Sequence, residues 1–367
     1  MEKERKTRKD SAKVRPADAS CYRRSTKPQK DPDTYFRTHA GSPLAGCGFS
    51  AGLALLVCGH GCSADAAVSS RAFAPPETSS YTVTPTEEAV EVGDEASGSS
   101  RPVAVTLSSS VPASAPDVKI SCTVRLLRTM RKNEIVVFHF RCSGTRRCTL
   151  LWSHSNAADC GLIFARVAAI AERLHVDIIM YDYSGYGCST GQPSELDLYA
   201  DILAVYEHIV QIKADHDLVL YGNSIGSAPT LWLAAQLSSS IGSVVLHAPF
   251  ASGISAMLPP SALGGCCAPS RVFGPCNPFD NRRRIRKVCC PVLVLHGTDD
   301  QTFGSEQSTD LHKNIPETFR REGGVVLIQG AGHDNMTEYG AYFDTLLEFL
   351  PVKRYRESEA NAETVSA

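Results

Sequence analysis

The sequence predicts an α/β domain with a mostly parallel central sheet flanked by helices, and two observations support this prediction. Short apolar runs without polar alternation recur from residue 135 onward, as expected for strands that are covered on both faces. Stretches with helical periodicity separate most of these runs, and such alternation is typical of parallel sheets. Strands are expected at residues 135–140, 149–152, 176–181, 218–221, 244–246, 292–295 and 325–328, and helices at 163–174, 194–212, 227–237, 307–314 and 338–349.

Composition places the chain among ordinary globular proteins. Of its 367 residues, 43% are apolar and 21% are charged, and the formal net charge is -2. This balance argues against a protein that binds nucleic acid with its whole surface. The 14 cysteines include no C-x-x-C pair with the spacing of a zinc site, so we expect reduced thiols, no metal and no organic cofactor.

The N-terminal part of the chain differs in composition from the rest. Residues 1–43 are basic and polar and are expected to form a disordered tail. Residues 44–62 are apolar and glycine-rich, and Cys47, Cys58 and Cys62 are candidate acylation sites. We expect a lipid anchor here, with a membrane span or a secretory signal as the alternatives.

Further boundaries follow from composition. Residues 63–120 are rich in Pro, Ser, Thr and Gly and are expected to be a linker, apart from a short strand near residues 81–83. The folded catalytic domain is expected at residues 121–354, followed by a loose tail at 355–367.

A nucleophile motif lies at the centre of this domain. The strand expected at residues 218–221 is followed at once by Gly222-Asn223-Ser224-Ile225-Gly226, which fits G-x-S-x-G, and then by a helical run. A serine on a sharp strand-to-helix turn projects above the sheet, and glycines flank it because side chains there would collide. The context predicts that Ser224 is a nucleophile.

A serine nucleophile needs a base and an acid, and both residue types follow later strands. Asp299 and Asp300 come directly after the strand at 292–295, and His333 comes shortly after the strand at 325–328. The carboxyl ends of parallel strands meet at one edge of the sheet, so these side chains are expected near Ser224. The order Ser, Asp, His along the chain is the order of α/β-hydrolases.

An oxyanion hole requires two backbone N–H donors. One is expected from Ile225, the residue after the nucleophile, and the other from the loop after the strand at 149–152. Asn156 is the candidate in that loop, with Ala157 as the alternative. Two further polar residues are interpreted as non-catalytic, Asp182 as structural and His247 as a loop residue.

With these residues identified, the chain resembles the α/β-hydrolase-domain-seventeen family of protein depalmitoylases. The resemblance lies in residues 151–159, 181–189, 193–201, 220–229, 296–300 and 330–334, and in Phe73-Ala74-Pro75-Pro76-Glu77. By motif position it implies Ser224 as nucleophile, Asp300 as acid and His333 as base, with Asp299 second as acid. The family usually has His-Gly-Asn where this chain has His154-Ser155-Asn156, and the serine is expected to strain the oxyanion loop.

The resemblance implies a membrane-associated serine hydrolase on the cytoplasmic face that removes palmitate from protein cysteines. Its expected partners are S-acylated membrane proteins and the membrane surface, with no nucleic acid. An esterase or lipase for small lipids is the nearest alternative, because the triad is indifferent to the leaving group. A non-catalytic scaffold with an impaired oxyanion loop is the alternative of another class. The segment 250–288 is too short for a large cap, so a minimal cap and an open acyl groove are expected.

Overall fold

A computed structural model describes residues 72–85, 100–107, 120–143, 148–212, 217–237, 240–257 and 277–351. The predicted basic tail, the predicted anchor with Cys47, Cys58 and Cys62, and the C-terminal tail lie outside these residues. Residues 258–276 of the predicted minimal cap also lie outside them. Within the described part of the chain, no helix has the length and apolarity needed to cross a membrane.

In the described part of the chain, ten strands form a single sheet in the order β1-β2-β3-β4-β6-β5-β7-β8-β9-β10. In chain order they are Tyr81–Pro85, Ser100–Leu107, Ile120–Arg128, Glu134–Cys142, Thr149–Ser153, Asp177–Tyr181, Leu218–Asn223, Ser243–His247, Val292–Gly297 and Val326–Ile328. From β6 to β10 every neighbouring pair is parallel, whereas β1 to β4 pair antiparallel and β4 pairs antiparallel with β6. The predicted α/β fold with a mostly parallel sheet is confirmed.

Helices cover both faces of the parallel half. Among the residues that the structure describes, the α-helices are α1 Cys160–Leu174, α2 Glu195–Ile212, α3 Ser227–Leu237, α4 Gly253–Met257, α5 Asn281–Ile285, α6 Ser305–Asn314 and α7 Gly340–Phe349. Successive residues of a strand point to opposite faces, so β7 divides its side chains between two cores. Leu218 and Leu220 pack with α2 and α3, while Val219 and Tyr221 pack with α1 and α7. Burial on both faces explains why these strands are continuous apolar runs.

The sheet begins earlier in the chain than predicted. The catalytic domain was expected to start at residue 121, but β1 and β2 precede that position. β1 pairs antiparallel with β2, and β2 pairs antiparallel with β3. The short strand expected near residues 81–83 corresponds to β1, whereas the predicted linker at 63–120 is wrong for β2. Pro85 and Pro102 lie in these two strands; Pro85 is exposed and Pro102 is half-buried, and proline is confined mainly to edge strands and strand ends. Such strands lack the continuous apolar run by which the central strands were recognised.

The cysteines of the described region are thiols. Seven cysteines are described, and none of them forms a disulfide. Cys142, Cys148, Cys160 and Cys290 are buried, as is usual for reduced cysteines in a protein core.

Candidate active site

The turn after β7 has the geometry of a nucleophile elbow. Ser224 has φ 55°, a left-handed conformation that is uncommon for a residue with a side chain. A Cβ at Gly222 would lie 2.7 Å from the Gly226 carbonyl oxygen, and a Cβ at Gly226 would lie 2.2 Å from the Ser153 carbonyl oxygen. Neither contact is possible, so both glycines of the motif are required by space. The serine hydroxyl is thereby held at the carboxyl end of β7, where the sheet ends and α3 begins.

The structure brings the three residues of the predicted triad together. The Ser224 Oγ lies 2.8 Å from Nε2 of His333, and Nδ1 of His333 lies 2.7 Å from Oδ2 of Asp300. All three residues stand beyond the carboxyl ends of strands β7, β9 and β10, as expected for a parallel sheet. With Nδ1–H donating to the carboxylate, Nε2 is free of a proton and accepts the serine hydroxyl hydrogen.

Asp300 is prepared to remain ionised. Burial opposes its ionisation, but hydrogen bonds from His333 and from the backbone N–H groups of Phe303 and Thr302 outweigh burial, so its pKa lies below the ordinary value. The two backbone donors reach Oδ1 at 2.9 and 2.8 Å. Asp299, the second candidate, is exposed and accepts a hydrogen bond from the Thr298 hydroxyl instead. The structure therefore places Asp300, and not Asp299, against the imidazole.

His296 supports this acid, a role that the sequence interpretation did not assign. Its Nε2 donates to the Phe303 carbonyl oxygen at 2.9 Å, and its Nδ1 lies 2.7 Å from the Ser308 hydroxyl. The ring also lies 3.4 Å from Oδ2 of Asp300, and burial lowers its pKa. A neutral imidazole thus holds the turn between β9 and α6 that carries Asp300. The sequence signal for this supporting role is that His296 lies at the end of a strand and begins the His-Gly-Thr-Asp-Asp motif.

His247 was interpreted as a loop residue, and this interpretation is wrong. It is the last residue of β8 and is 1% exposed. Its Nδ1 lies 2.5 Å from the Tyr221 hydroxyl, which lies 2.7 Å from the Tyr342 hydroxyl. Burial, and then the nearby His333, lower the pKa of His247 to about 3, so the ring stays neutral. The turn suggested by Ala248-Pro249 begins one residue later, at Ala248 with φ 46°.

The first expected oxyanion donor lies at a helix N-terminus. Ile225 is the middle residue of the 3-10 turn Ser224–Gly226, which runs directly into α3. Backbone N–H groups at the start of a helix are unpaired within the helix and favour negative charge. This position suits a donor to the oxyanion of an acyl-transfer intermediate.

The second expected donor lies in the loop between β5 and α1, where the backbone is not strained by serine. Among the described non-glycine residues with positive φ are Ser224 and Ala248, but not Ser155. The family's glycine is therefore not needed for a left-handed conformation here, and the expected strain is absent. The Ser155 carbonyl oxygen lies 2.7 Å from Nδ1 of the buried His154. The side chain of Asn156 also makes hydrogen bonds that the sequence did not predict, with Ala72, Ala74 and Tyr186.

Aromatic rings line the side of the site next to His333. Phe303 is partly exposed and packs edge-on against the His333 ring, with 5.2 Å between ring centroids. Behind it lie Phe250 and Phe279, which are both buried. Phe73, from the N-terminal segment, packs edge-on against Phe279. An apolar wall thus extends away from the triad.

One buried group has the residue types of a metal site. Ligand atoms of His154, Cys160 and Asp182 lie within 4.8 Å of one another, and no part of the three side chains is exposed. The oxygens of Asp182 already accept hydrogen bonds from the Tyr81 hydroxyl and the Cys160 backbone N–H. Burial, and then Asp182, raise the pKa of the Cys160 thiol well above its ordinary value, which disfavours the thiolate that a metal needs. These residues fit a structural cluster better than a metal site, and Asp182 is structural as interpreted.

The geometry and the comparisons together define the class of the protein. A model of the alpha/beta hydrolase fold matches residues 151–266. An esterase of Pyrococcus furiosus superposes with a TM-score of 0.51 at 13% identity, covering 65% of this chain and 96% of that one, which shows the fold alone. The protein is an α/β-hydrolase.

Comparison with curated proteins narrows the class to one family. The alpha/beta hydrolase domain-containing protein aho-3 of Caenorhabditis elegans is 32% identical over 305 residues, which are 82% of this chain and 80% of that protein. The alpha/beta hydrolase domain-containing protein 17B of Xenopus tropicalis is 35% identical over 228 residues, 61% of this chain and 74% of that protein. The human protein 17B is 34% identical over 228 residues. The chain belongs to the alpha/beta hydrolase domain-containing protein 17 family, which confirms the resemblance.

Proposed function

We propose that the protein is a serine hydrolase that removes palmitoyl and similar long acyl groups from cysteine thioesters of membrane proteins. The observation that supports this most is the continuous hydrogen-bonded chain from Ser224 through His333 to Asp300. It is built on a nucleophile elbow in which the backbone of Ser224 has a left-handed conformation. A serine in this setting has a base within reach of its proton and an acid that fixes the imidazole tautomer.

In the first half of the reaction the Ser224 oxygen attacks the thioester carbonyl carbon while Nε2 of His333 takes the hydroxyl proton. The tetrahedral oxyanion accepts hydrogen bonds from the backbone N–H groups of Ile225 and Asn156. The carbon–sulfur bond then breaks, and His333 returns the proton to the departing cysteine sulfur. An acyl-serine remains on the enzyme.

In the second half water replaces the thiol. His333 removes a proton from the water as the water oxygen attacks the acyl-serine, and the same two N–H groups hold the new oxyanion. Collapse of this intermediate breaks the bond to the Ser224 oxygen, which recovers its proton from His333. The products are the fatty acid and the free enzyme. Throughout, Asp300 stabilises the imidazolium without taking its proton.

A long acyl chain suits the surroundings of the triad. The partly exposed face of Phe303 lies beside His333 and gives methylene groups an apolar surface to cover. Each methylene transferred from water to such a surface contributes about 0.8 kcal/mol. The ring therefore favours fatty acyl groups over acetyl groups, although it does not distinguish a thioester from an ester.

A pair of substrates with the same acyl chain tests the proposal. We expect the purified full chain to hydrolyse an S-palmitoyl peptide with kcat/KM at least about tenfold above that for 1-palmitoylglycerol. Ser224→Ala is expected to lower kcat by at least about 10³-fold and to abolish labelling by a fluorophosphonate. Preference for the glycerol ester would instead indicate a lipid esterase. Absence of turnover and of labelling in the wild type would indicate a non-catalytic scaffold.

We also propose that the protein is held at the cytoplasmic face of a membrane by acyl chains on Cys47, Cys58 and Cys62, where S-acylated proteins are its substrates. These cysteines lie outside the described residues, so the support is the apolar, glycine-rich sequence around them and the basic stretch before it. Two acyl chains, or one chain with a basic patch, give stable anchoring.

Replacing these cysteines tests the anchor directly. In cells, the variant with all three changed to serine is expected to move from the membrane fraction to the soluble fraction. Cys122→Ser, at a partly buried position within β3, serves as the matched control and should leave the distribution unchanged. Retention of the triple variant on membranes would show that acylation of these cysteines is not what holds the protein there.

A further inference from the structure

The side chain of Asn156 is held by the segment that precedes the sheet. Its Nδ2 donates to the Ala72 carbonyl oxygen at 2.8 Å, and its Oδ1 accepts from the Ala74 backbone N–H at 3.1 Å. The Tyr186 hydroxyl donates to the same Oδ1 at 2.6 Å. The two backbone groups fix the orientation of the amide, because a flipped amide would lose the bonds to both Ala72 and Ala74. Two of the three partners are backbone groups more than 80 residues earlier in the chain.

The same segment holds the far end of the loop that contains Asn156. Both the backbone N–H and the hydroxyl of Ser80 donate to the carboxylate of Asp159. Asp159 is fully buried and caps α1 by accepting from the Leu162 backbone N–H at 2.9 Å. One residue on, the Tyr81 hydroxyl donates to Asp182. Residues 72–81 therefore contact the loop between β5 and α1 at its middle and at its end.

Packing leaves this arrangement little room to shift. Phe73 is 9% exposed and packs edge-on against Phe279, with 5.9 Å between ring centroids. At the other end, a Cβ on Gly161 would lie 2.2 Å from the Ser80 hydroxyl oxygen, so the segment lies directly against the first turn of α1. Close packing of this kind transmits a displacement of one partner to the other.

We infer that residues 72–81, named here the N-terminal brace, position the oxyanion loop, and that the side chain of Asn156 is the positioning residue through which they act. This inference rests on the proposed function, in which the backbone N–H of Asn156 is an oxyanion donor. The side-chain amide and the backbone N–H belong to one residue, so the bonds of the first to Ala72 and Ala74 restrict the position of the second. The brace lies between the proposed anchor region at 44–62 and the catalytic domain expected at 121–354, so a stretch outside that expected domain supports the active site.

Variants of the brace are expected to lower kcat rather than to raise KM. A misdirected oxyanion donor weakens binding of the transition state and leaves binding of the ground-state substrate nearly unchanged. Variants of the brace should therefore lower kcat while KM stays within about twofold of the wild type. A defect of general packing would instead lower the melting temperature and the fraction of active enzyme.

Two variants in the full-length chain remove the same hydrogen bond from opposite sides. Ala74→Pro deletes the backbone N–H that donates to Asn156, and Asn156→Ala deletes the acceptor while keeping its own backbone N–H. We expect kcat to fall about tenfold in the first and about 10- to 100-fold in the second. The double variant should be no slower than Asn156→Ala alone, because both changes break one interaction. The readouts are kcat and KM for a soluble ester and the rate of fluorophosphonate labelling of Ser224.

Milder substitutions show whether a loss of activity arises without misfolding. Tyr186→Phe removes one of the three bonds to Asn156, and we expect a loss in kcat of about threefold to tenfold. Thr82→Ala, at an exposed position of β1 just beyond the brace, is the matched control and should behave as the wild type.

The outcomes separate this inference from the proposed function. If Ser224→Ala is inactive while Ala74→Pro, Asn156→Ala and Tyr186→Phe all keep kcat within twofold of the wild type, the brace does not position the donor. A loss that appears in KM, or that follows a fall in melting temperature, contradicts the inference as well. If Ser224→Ala turns over as fast as the wild type, the proposed function itself fails, and the inference with it.

Discussion

Two groups in the described part of the molecule each combine an imidazole, a carboxyl group and a possible nucleophile, but they differ in what chemistry they can perform. The first consists of Ser224, His333 and Asp300, and the second of Cys160, His154 and Asp182. Both lie near the carboxyl edge of the parallel strands. The residue types alone do not distinguish the two groups, because cysteine with histidine and aspartate is as plausible a catalytic set as serine with the same partners. Their surroundings do distinguish them.

Partners and burial separate the two carboxyl groups. Asp300 accepts from two backbone N–H groups on one oxygen and presents the other to His333. Asp182 is fully buried, and its oxygens accept from Tyr81 and from the Cys160 backbone N–H. His154 lies 3.3 Å from Asp182 but without the geometry of a hydrogen bond. One carboxylate orients a base, and the other links two segments of the fold.

The nucleophiles differ in the same way. The side chain of Ser224 stands on a strained turn at the carboxyl end of β7 with a base 2.8 Å away. Cys160 is the first residue of α1 and is fully buried, and burial followed by Asp182 raises its thiol pKa well above the ordinary value. A thiol that keeps its proton is a poor nucleophile. The comparison teaches that a base within reach of the nucleophile's proton, and not residue type, decides which group can act.

The largest expected effect comes from the acid of the first group. Asp300→Asn is expected to lower kcat by about 10³- to 10⁴-fold, because an amide next to Nδ1 favours the wrong imidazole tautomer and cannot stabilise the imidazolium. The folded structure should persist, since asparagine has nearly the same shape. Steady-state kinetics on a soluble ester, with circular dichroism on the same samples, measure both quantities.

Asp299→Asn is the matched control for this change. Asp299 is exposed and contacts Thr298 rather than the imidazole, so kcat should stay within about twofold of the wild type. A larger loss in Asp299→Asn than in Asp300→Asn would reverse the assignment of the acid and with it the distinction drawn between the two groups.

Much of the parallel half of the fold was predictable from the sequence. Strands such as β7 and β8 are buried on both faces, and therefore appear as short continuous apolar runs between helical stretches. The strands β2 and β3 were not predicted, because most of their side chains are partly or fully exposed. Half-exposed strands carry a weaker hydrophobic signal, and their place in the sheet is decided by tertiary pairing.

The candidate site likewise contains some residues that the sequence predicts and some contacts that it does not. Ser224, Asp300 and His333 were predictable because each follows a strand, and the topology of a parallel sheet brings strand ends together. The hydrogen bonds from Asn156 to Ala72 and Ala74 could not be predicted, because they join positions more than 80 residues apart through backbone groups that any residue carries. The burial of His247 was also missed, since a strand that ends one residue later leaves almost no trace in the sequence.

The smallest expected effect concerns the second group and is a loss of stability. Tyr81 is 1% exposed, its ring packs edge-on against Phe138, and its hydroxyl donates to Asp182. Burial, and then Asp182, raise the Tyr81 pKa, so the phenol keeps its proton and remains a donor. Tyr81→Phe keeps the ring but leaves the buried carboxyl group without this donor, so we expect the free energy of unfolding to fall by about 1 to 3 kcal/mol.

Denaturant titration of Tyr81→Phe alongside Tyr206→Phe measures this loss. Tyr206 is also buried, but its hydroxyl has no hydrogen-bond partner among the described residues, so its replacement should cost less than about 0.5 kcal/mol. Ser224 should still be labelled by a fluorophosphonate in both variants, because the hydroxyl–imidazole–carboxylate chain is untouched. If the two variants unfold at the same denaturant concentration, the Tyr81 hydroxyl does not stabilise the buried group. Complete loss of labelling in Tyr81→Phe would mean that the second group takes part in the chemistry rather than only in the fold.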